Sequence, residues 1–336
     1  MDIFYGQQDY GGTKMRIKKI IMGMALTSLL LLSGCNNKKS GSTATVKHVG
    51  ILQVVQHPSL DEANKGFKEG LKENGYVEGK NLKIDYQNAQ NSQDNLKSMS
   101  EKLVNEKSDL ILGIATPAAQ SVANATQDIP IVVTAVTDLK AAKLVNSDAK
   151  PGRNVTGTTD MVSIDKQIKL LLSIVPKAKT IGIMYNAGEA NSKIQADLAV
   201  KALKKAGVKV LIKTANTTND VQQVTETLAG KVQGIYVPTD NTFASASSII
   251  GKVVKEKKIP LVAGSTDQVK TGGLASIGID YEALGKQTGK MAAKILDGKA
   301  KPKDMPVERA TDLKLVVNKK MAKALGIDPA SIKAPK

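Results

Sequence analysis

The chain of 336 residues has few of the side chains that carry catalysis, metal binding and base stacking: one cysteine, two histidines and no tryptophan. One cysteine cannot form an intramolecular disulfide. One cysteine and two histidines together supply too few ligands for a Cys/His zinc site. Aromatic residues make up 3% of the chain, and only three of its 48 basic residues are arginines. Because base recognition relies on arginine forks and aromatic stacking, the net charge of +17 does not indicate a nucleic-acid partner. The lysine excess is typical of a solvated surface near an anionic envelope.

Common enzyme motifs are missing as well. The chain has no G-x-G-x-x-G after its first predicted strand, no G-x-x-x-x-G-K-[ST], no H-E-x-x-H and no G-x-S-x-G turn. His57 is the only histidine in a position to serve a catalytic triad, and it has no such serine to activate. We therefore expect a protein without catalytic activity, cofactor or metal ion.

The N-terminal segment predicts export from the cytoplasm. Residues 15–19 are basic and residues 20–32 are largely apolar, which is the anatomy of a secretory signal peptide over residues 15–34. The apolar run is too short to form a membrane-spanning helix. Residues 1–14 contain no feature of a signal peptide, so we expect translation to begin at Met15.

The only cysteine lies directly after this segment. The sequence Leu-Ser-Gly-Cys that ends at Cys35 resembles the lipobox of bacterial lipoproteins. In those proteins the cysteine thiol receives a diacylglycerol and the chain is cleaved before it, and two or more acyl chains give stable anchoring. Residues 35–45 would then be the lipidated cysteine and a flexible tether.

Short apolar runs alternate with helical stretches from residue 46 onward, and the pattern restarts near residue 180. Apolar runs separated by helices indicate parallel βαβ units whose sheet is buried on both faces. The predicted strands occupy residues 46–55, 82–86, 110–115 and 129–136 in the first half, and 180–185, 208–213, 234–237 and 260–263 in the second. We therefore predict an α/β protein with two doubly wound, Rossmann-like parallel-sheet domains.

The section after residue 274 is too long for a tail and too short for a third domain, so we predict that it completes both domains in turn. The N-terminal lobe would contain residues 46–157 and 276–312, and the C-terminal lobe residues 158–275 and 313–336. Three crossings between the lobes would restrict their motion to a hinge about a cleft. Ligands of open α/β sheets lie beyond the carboxyl ends of the strands, so we expect the site in this cleft.

Polar residues follow the predicted strands of the first half, where the cleft would lie. Ser59 is a predicted N-cap after the first strand, and Thr116 is a predicted N-cap after the third, close to the small Ala118. Free N–H groups at these helix starts suit a carboxylate. Asp138 follows the fourth strand and suits an ammonium group. For Ser59 and Asp138, plain helix capping is an equally good interpretation.

The second half offers similar groups. Asn191 and Ser192 begin a predicted helix and suit an anion, and Asp240 follows a strand. Asp280 lies where the chain is predicted to cross between the lobes, and Tyr185 ends a strand beside the cleft loops. Each acidic residue taken alone is better explained as structural. The convergence of polar groups of both signs on one cleft is what favours a small-molecule site.

A series of short motifs runs through residues 46–326. They include His-Pro-Ser-Leu-Asp from residue 57, Ala-Thr-Pro-Ala-Ala-Gln from 115, Glu-Ala-Asn-Ser from 189, Val-Pro-Thr-Asp-Asn-Thr from 237 and Gly-Ile-Asp-Tyr from 278. In the order and spacing of these motifs the chain resembles lipoprotein substrate-binding components of ABC importers with a type I periplasmic-binding-protein fold. Within that family it is most similar to the branch that binds tryptophan or tyrosine.

The resemblance implies two doubly wound lobes, a three-crossing hinge and a ligand cleft that captures an amino acid-like solute, best an aromatic amino acid such as tryptophan. The implied ligand contacts are Ser59, Thr116 and Ala118 for the carboxylate, Asp138, Asp240 and Asp280 as candidates for the ammonium, and Asn191, Ser192 and Tyr185 at the cleft. The implied partners are a membrane permease and its ATPase. Together with the lipid anchor, they predict a monomer on the extracellular face of a Gram-positive-type cell membrane.

Other functions stay open at this stage. The same fold serves sensory lipoproteins that have no transport partner, and the solute could be a branched-chain amino acid or a nucleoside. An envelope enzyme is a third possibility, which the missing catalytic motifs disfavour.

Overall fold

Two six-stranded sheets organise the part of the chain described by the computed structural model, residues 46–310 and 312–335. The predicted translation start, signal peptide, lipidated cysteine and tether lie outside the described residues. Within the described ranges, no helix has the length and apolar character needed to span a membrane. Along the chain the strands and α-helices are β1 (Lys47–Gln53), α1 (Pro58–Glu73), β2 (Leu82–Asn88), α2 (Gln93–Asn105), β3 (Leu110–Ile114), α3 (Thr116–Ala125), β4 (Ile131–Val136), β5 (Val155–Thr159), α4 (Ile164–Ile174), β6 (Thr180–Tyr185), α5 (Ala190–Lys205), β7 (Lys209–Thr214), α6 (Val221–Ala229), β8 (Gly234–Val237), α7 (Asn241–Ser245), α8 (Ser247–Glu256), β9 (Leu261–Ala263), α9 (Thr266–Thr271), β10 (Ala275–Gly278), α10 (Tyr281–Leu296), β11 (Glu308–Arg309), β12 (Lys314–Val317) and α11 (Lys319–Ala324).

The sheets define two lobes of the predicted class. The first sheet has the strand order β11-β5-β4-β3-β1-β2, and the second has the order β12-β10-β9-β8-β6-β7. Neighbouring strands are parallel throughout, except that β10 and β12 are antiparallel. The strands β3 and β4 are buried along their whole length because helices cover both faces of the sheet. The predicted α/β class with two parallel-sheet domains is therefore confirmed.

The chain passes between the lobes three times. The first passage lies between β5 and α4, the second between β10 and α10, and the third between β11 and β12. The predicted boundaries after residues 157 and 275 fall inside strands and are corrected here, because β5 pairs only in the first sheet and β10 only in the second. The first two passages therefore begin at Asp160 and Ile279, after their strands end.

Helices α1 and α10 pack backbone against backbone in the first lobe. Gly66 and Gly70 face α10, and Gly285 and Gly289 face α1. A Cβ atom placed on Gly66 would lie 1.9 Å from the carbonyl oxygen of Glu282, so no side chain fits between the helices there. This contact attaches α10, which begins directly after the second passage, to the lobe that contains β1.

Candidate functional site

A small cavity lies between the two lobes, where the segments that follow the parallel strands of both sheets meet. Its polar lining residues are His57, Ser59, Thr137, Asp160 and Tyr281 on the side of the first lobe and Asn191, Thr239, Asp240, Asn241, Ser265 and Gln268 on the side of the second. The cavity measures about 10 Å³, whereas sites for small organic ligands commonly span about 300–1,000 Å³. An amino acid would therefore fit into this cavity only if the lobes moved apart.

The start of α1 forms one wall of the cavity. His57 is the N-cap residue, Pro58 begins the helix and Ser59 is its second residue, so the prediction that Ser59 is the N-cap is wrong. Proline fits this position because it has no N–H to leave unsatisfied and its φ angle suits a helix. The Ser59 hydroxyl donates instead to Oδ2 of Asp267 in the second lobe, at 2.9 Å. Ser59 thus lines the cavity and links the lobes.

The start of α3 does not reach the cavity. Its N-cap residue is Ala115, with φ of +75°, and Thr116 is the first helical residue, so the predicted capping role of Thr116 is wrong. Thr116 and Ala118 are buried, and neither lines the cavity. The Thr116 hydroxyl has no hydrogen-bond partner among the described residues.

Two of the predicted ammonium-binding acids lie outside the cavity. Asp138 accepts a hydrogen bond from the N–H of Ala141 at 2.8 Å and lines a separate recess beside Arg309. Asp280 is the N-cap residue of α10, and its carboxylate lies 3.6 Å from the Lys314 ammonium. Helix capping, the alternative interpretation, is therefore the observed role of Asp280, whereas the Asp138 carboxylate closes a turn between β4 and β5, where no helix follows.

The remaining predicted residues divide between the cavity and the core of the second lobe. Asn191 lines the cavity, its Nδ2 donates to the carbonyl oxygen of Thr239 at 3.1 Å, and its Oδ1 is buried without a partner among the described residues. Ser192 is fully buried and accepts a hydrogen bond from Asn191 at 3.2 Å. Tyr185 belongs to the apolar core of the lobe. Neither Ser192 nor Tyr185 lines the cavity.

Asp240 combines a structural and a cavity-lining position. Its Oδ1 caps α7 by accepting from the N–H of Phe243 at 2.8 Å, and its Oδ2 accepts from the N–H of Asn186 at 2.6 Å. Burial, with a smaller contribution from the nearby Glu189 carboxylate, raises the pKa of Asp240 to about 8. A carboxylate already bound by two backbone donors is a poor candidate for the main counter-ion of a ligand.

Asp160 is the carboxylate that the sequence-based site missed. It lies at the first passage between the lobes, lines the cavity and is 3% exposed. One carboxylate oxygen accepts from the Tyr281 hydroxyl at 2.9 Å, and the other, Oδ1, is buried without a partner within the described ranges. Burial raises the pKa of Asp160 above its ordinary value. A buried carboxylate with a free acceptor oxygen suits a cationic donor such as an ammonium group.

Side chains also meet directly across the cleft. His57 Nε2 lies 3.4 Å from Asn241 Oδ1, and Asn91 Nδ2 donates to Thr242 Oγ1 at 3.0 Å. Burial lowers the pKa of His57 below its ordinary value, which favours the neutral imidazole at this contact. The partners are more than 150 residues apart in sequence, so no local pattern could have paired them.

One group among the described residues brings possible metal ligands together, away from the cleft. Ligand atoms of His48, Asp85 and Glu106 all lie within 4.8 Å of one another. The Lys102 ammonium lies 3.1 Å from a carboxylate oxygen of Asp85 and 3.5 Å from one of Glu106. The Lys102 ammonium bridges both carboxylates, so an ion-pair cluster explains this arrangement.

Comparisons with known proteins agree with this geometry. The sequence profile of the family described as ABC transporter substrate binding protein matches residues 48–331. A curated relative named tyrosine-binding protein, from Clostridioides difficile strain R20291, is 43% identical over 328 residues, which cover 95% of this chain and 94% of the relative.

Solved structures of similar proteins include two with different ligand content. The structure of an ABC domain in complex with L-Trp from Streptococcus pneumonia has 40% identity and a TM-score of 0.81, covering 87% of this chain and 97% of that one. The ligand-free, open structure of a substrate binding protein with adhesive properties from Clostridium difficile has 48% identity but a TM-score of 0.65, covering 84% and 96%. The present chain is thus closer in shape to the L-Trp complex, although its sequence is closer to the open protein.

Proposed function

The chain belongs to the family of ABC transporter substrate-binding proteins, and we propose that it captures an aromatic amino acid in the cleft between its lobes. The observation that carries the choice of an amino acid is the Asp160 carboxylate, which faces the cleft cavity with one oxygen unpartnered among the described residues. The relative named for tyrosine and the relative solved with L-Trp support an aromatic side chain.

Each part of an aromatic amino acid has a suitable wall in the cavity. Asp160 would accept the ammonium group. The N-terminus of α1 would bind the carboxylate through the Ser59 N–H, and the Ser59 hydroxyl would turn from Asp267 to the ligand. The ring would lie among the apolar lining residues Leu60, Ala135 and Ala244, close to the Tyr281 ring. Aromatic rings prefer offset or edge-to-face contacts, which one tyrosine on the wall can supply.

Capture would proceed by hinge closure. The cavity of about 10 Å³ has no room for an amino acid, and the three passages between the lobes leave a hinge as the simplest motion. A relative that is 48% identical has an open structure, which supports such a motion in this family. A permease of the transporter would then distinguish the closed, loaded protein from the open one.

Titration calorimetry of the purified protein tests the proposed ligand. We expect L-tryptophan or L-tyrosine to bind in the micromolar range or tighter and to raise the melting temperature, because a ligand that binds only the folded state stabilises it by mass action. L-Leucine and a nucleoside such as adenosine should give no heat of binding. Binding of leucine or the nucleoside in place of both aromatic amino acids would contradict the proposal.

We further propose that Cys35 carries a lipid that holds the protein at the outer face of the cell membrane. The single cysteine within a lipobox-like sequence, directly after an apolar run, supports this location. We expect Cys35→Ser to move most of the protein from the membrane fraction to the soluble fraction, whereas the neighbouring Ser40→Ala should leave it membrane-bound. Membrane retention of Cys35→Ser, measured by fractionation and immunoblotting, would refute lipid anchoring.

A further inference from the structure

Glu189 is a buried carboxylate next to the cleft that does not line the cavity. It is the N-cap residue of α5 and is 3% exposed, yet its side chain does not cap α5. Instead it receives hydrogen bonds from the start of α7: from Asn241 through the backbone N–H at 3.0 Å and Nδ2 at 2.6 Å, and from Thr242 through the backbone N–H at 3.1 Å and Oγ1 at 3.0 Å. One carboxylate thus takes up the side-chain donors of two adjacent residues.

This arrangement fixes what Asn241 and Thr242 present to the first lobe. The Asn241 amide nitrogen points to Glu189, so its Oδ1 faces His57 Nε2, at 3.4 Å. The Thr242 hydroxyl proton also points to Glu189, so Oγ1 is left as an acceptor. It accepts from Asn186 Nδ2 at 2.8 Å within the second lobe and from Asn91 Nδ2 at 3.0 Å across the cleft. The second lobe therefore offers two acceptors, and the first lobe meets them with two donors.

We propose that Glu189 is a positioning residue that sets the hydrogen-bonding polarity of the second lobe, so that closure onto His57 and Asn91 is favoured. The inference rests on the proposed function, since it assigns Glu189 to the closure that would trap the solute. An acceptor-only carboxylate is suited to this role, because an ionised carboxylate cannot donate to Asn241 or Thr242 and reverse them. Donors set against donors in a closing cleft would each lose hydration without gaining a partner.

Glu189→Gln tests the role with little change in size. The introduced amide carries both a donor and an acceptor, so Asn241 is free to turn its own amide nitrogen toward His57. For L-tryptophan, we expect the dissociation constant to rise roughly tenfold. The dissociation rate constant should account for this change, because the affected contacts form only on closure. The association rate constant should stay within about twofold of the wild-type value. The exposed Glu226→Gln, the same chemical change on α6 far from the cleft, should leave both rates unaltered.

A double-mutant cycle separates positioning from folding and from direct ligand contact. In a protein that already carries both His57→Ala and Asn91→Ala, adding Glu189→Gln should change the affinity less than about twofold. The side chains of the first lobe that Asn241 and Thr242 contact across the cleft are then absent. A tenfold effect that persists in this background would overturn the proposal. If Glu189→Gln does not fold, the affinities of Thr242→Val, Asn91→Ala and the double variant are compared instead. Additive effects of the two substitutions on the affinity would also overturn the proposal.

A spectroscopic readout on the loaded, closed protein keeps this inference distinct from the proposed function. The chain has two histidines, so ¹⁵N spectra resolve His57 once His48→Gln identifies the other signal. In the proteins loaded with L-tryptophan, or with another amino acid that binds, we expect the His57 proton to lie on Nε2 in the wild type and this preference to be lost in Glu189→Gln. An unchanged His57 spectrum would refute the polarity assignment, whereas failure of the wild type to bind L-tryptophan would refute only the proposed ligand.

Discussion

Asp160→Asn should weaken the binding of L-tryptophan or L-tyrosine at least about 100-fold while leaving the melting temperature unchanged or higher. The substitution would leave the ligand ammonium without a counter-charge inside a closed cavity. Loss of one partner of a buried ion pair typically costs about 3–5 kcal/mol, and each factor of ten in affinity corresponds to about 1.4 kcal/mol. The fold should persist, because an asparagine oxygen can still accept from Tyr281 and burial already disfavours the Asp160 charge.

Two aspartates that the sequence favoured provide matched controls for this result. Asp138→Asn and Asp280→Asn make the same chemical change at carboxylates that lie outside the cavity. Titration calorimetry should give affinities within about twofold of the wild type, since the expected cost is a weakened turn at Asp138 and a weakened helix cap at Asp280. The assignment of Asp160 fails if either control loses the affinity and Asp160→Asn keeps it.

The pH dependence of binding is a second test of the role of Asp160. Burial raises the pKa of Asp160, so the ligand-free protein holds this proton at a higher pH than an ordinary aspartate does. An ammonium ligand favours the ionised form, and affinity should therefore fall as the pH is lowered through that raised pKa. Burial lowers the pKa of His57, so its protonation on acidification opposes closure and acts in the same direction. Asp160→Asn should retain a shallower dependence, supplied by His57 and by Asp240, which also lines the cavity and has a raised pKa.

The fold was predictable because its signal is repeated along the chain. Runs such as residues 110–115 and 129–136 are largely apolar over consecutive positions, which is typical of strands in a sheet covered on both faces. The ends of the strands at the passages were less predictable. The hydrogen bonds that extend β5 to Thr159 and β10 to Gly278 come from neighbouring strands that are remote in sequence.

The site was only partly predictable, since an acid after a strand looks the same whether it caps a helix or faces a ligand. Asp138 and Asp280 turn back to backbone N–H groups of their own segments. Asp160 had a distinguishing local feature: α4 begins four residues later and has its own cap, Ser163, whose side chain accepts from Lys166 N–H. Asp160 therefore has no helix to cap and keeps one carboxylate oxygen for a ligand, whereas the side chain of Asp138 closes its own turn. The pairing of Glu189 with α7 depends on tertiary contact and left no such local sign.

Gly285→Ala should lower the free energy of unfolding by more than about 3 kcal/mol, seen as a reduced denaturant midpoint. The added Cβ would lie 2.0 Å from the carbonyl oxygen of Ala63 and 2.9 Å from the backbone nitrogen of Phe67. These are backbone atoms of α1 and cannot rotate aside, so the two helices must separate and lose their packing. Overpacking of a core commonly costs about 1–3 kcal/mol, and backbone obstruction places this site at the upper end or beyond.

Gly75→Ala is the matched control, because it adds the same methyl group in open space. Gly75 has φ of +91° and no other atom within 4 Å of the added Cβ, so only the left-handed backbone is penalised, by about 1 kcal/mol. Gly285→Ala should also weaken ligand binding, since α10 begins at Tyr281, whose hydroxyl donates to Asp160. A displaced α10 would move that hydroxyl away from the carboxylate and leave Asp160 less well oriented. A Gly285→Ala protein with wild-type stability would mean that α1 and α10 are not in backbone contact in solution.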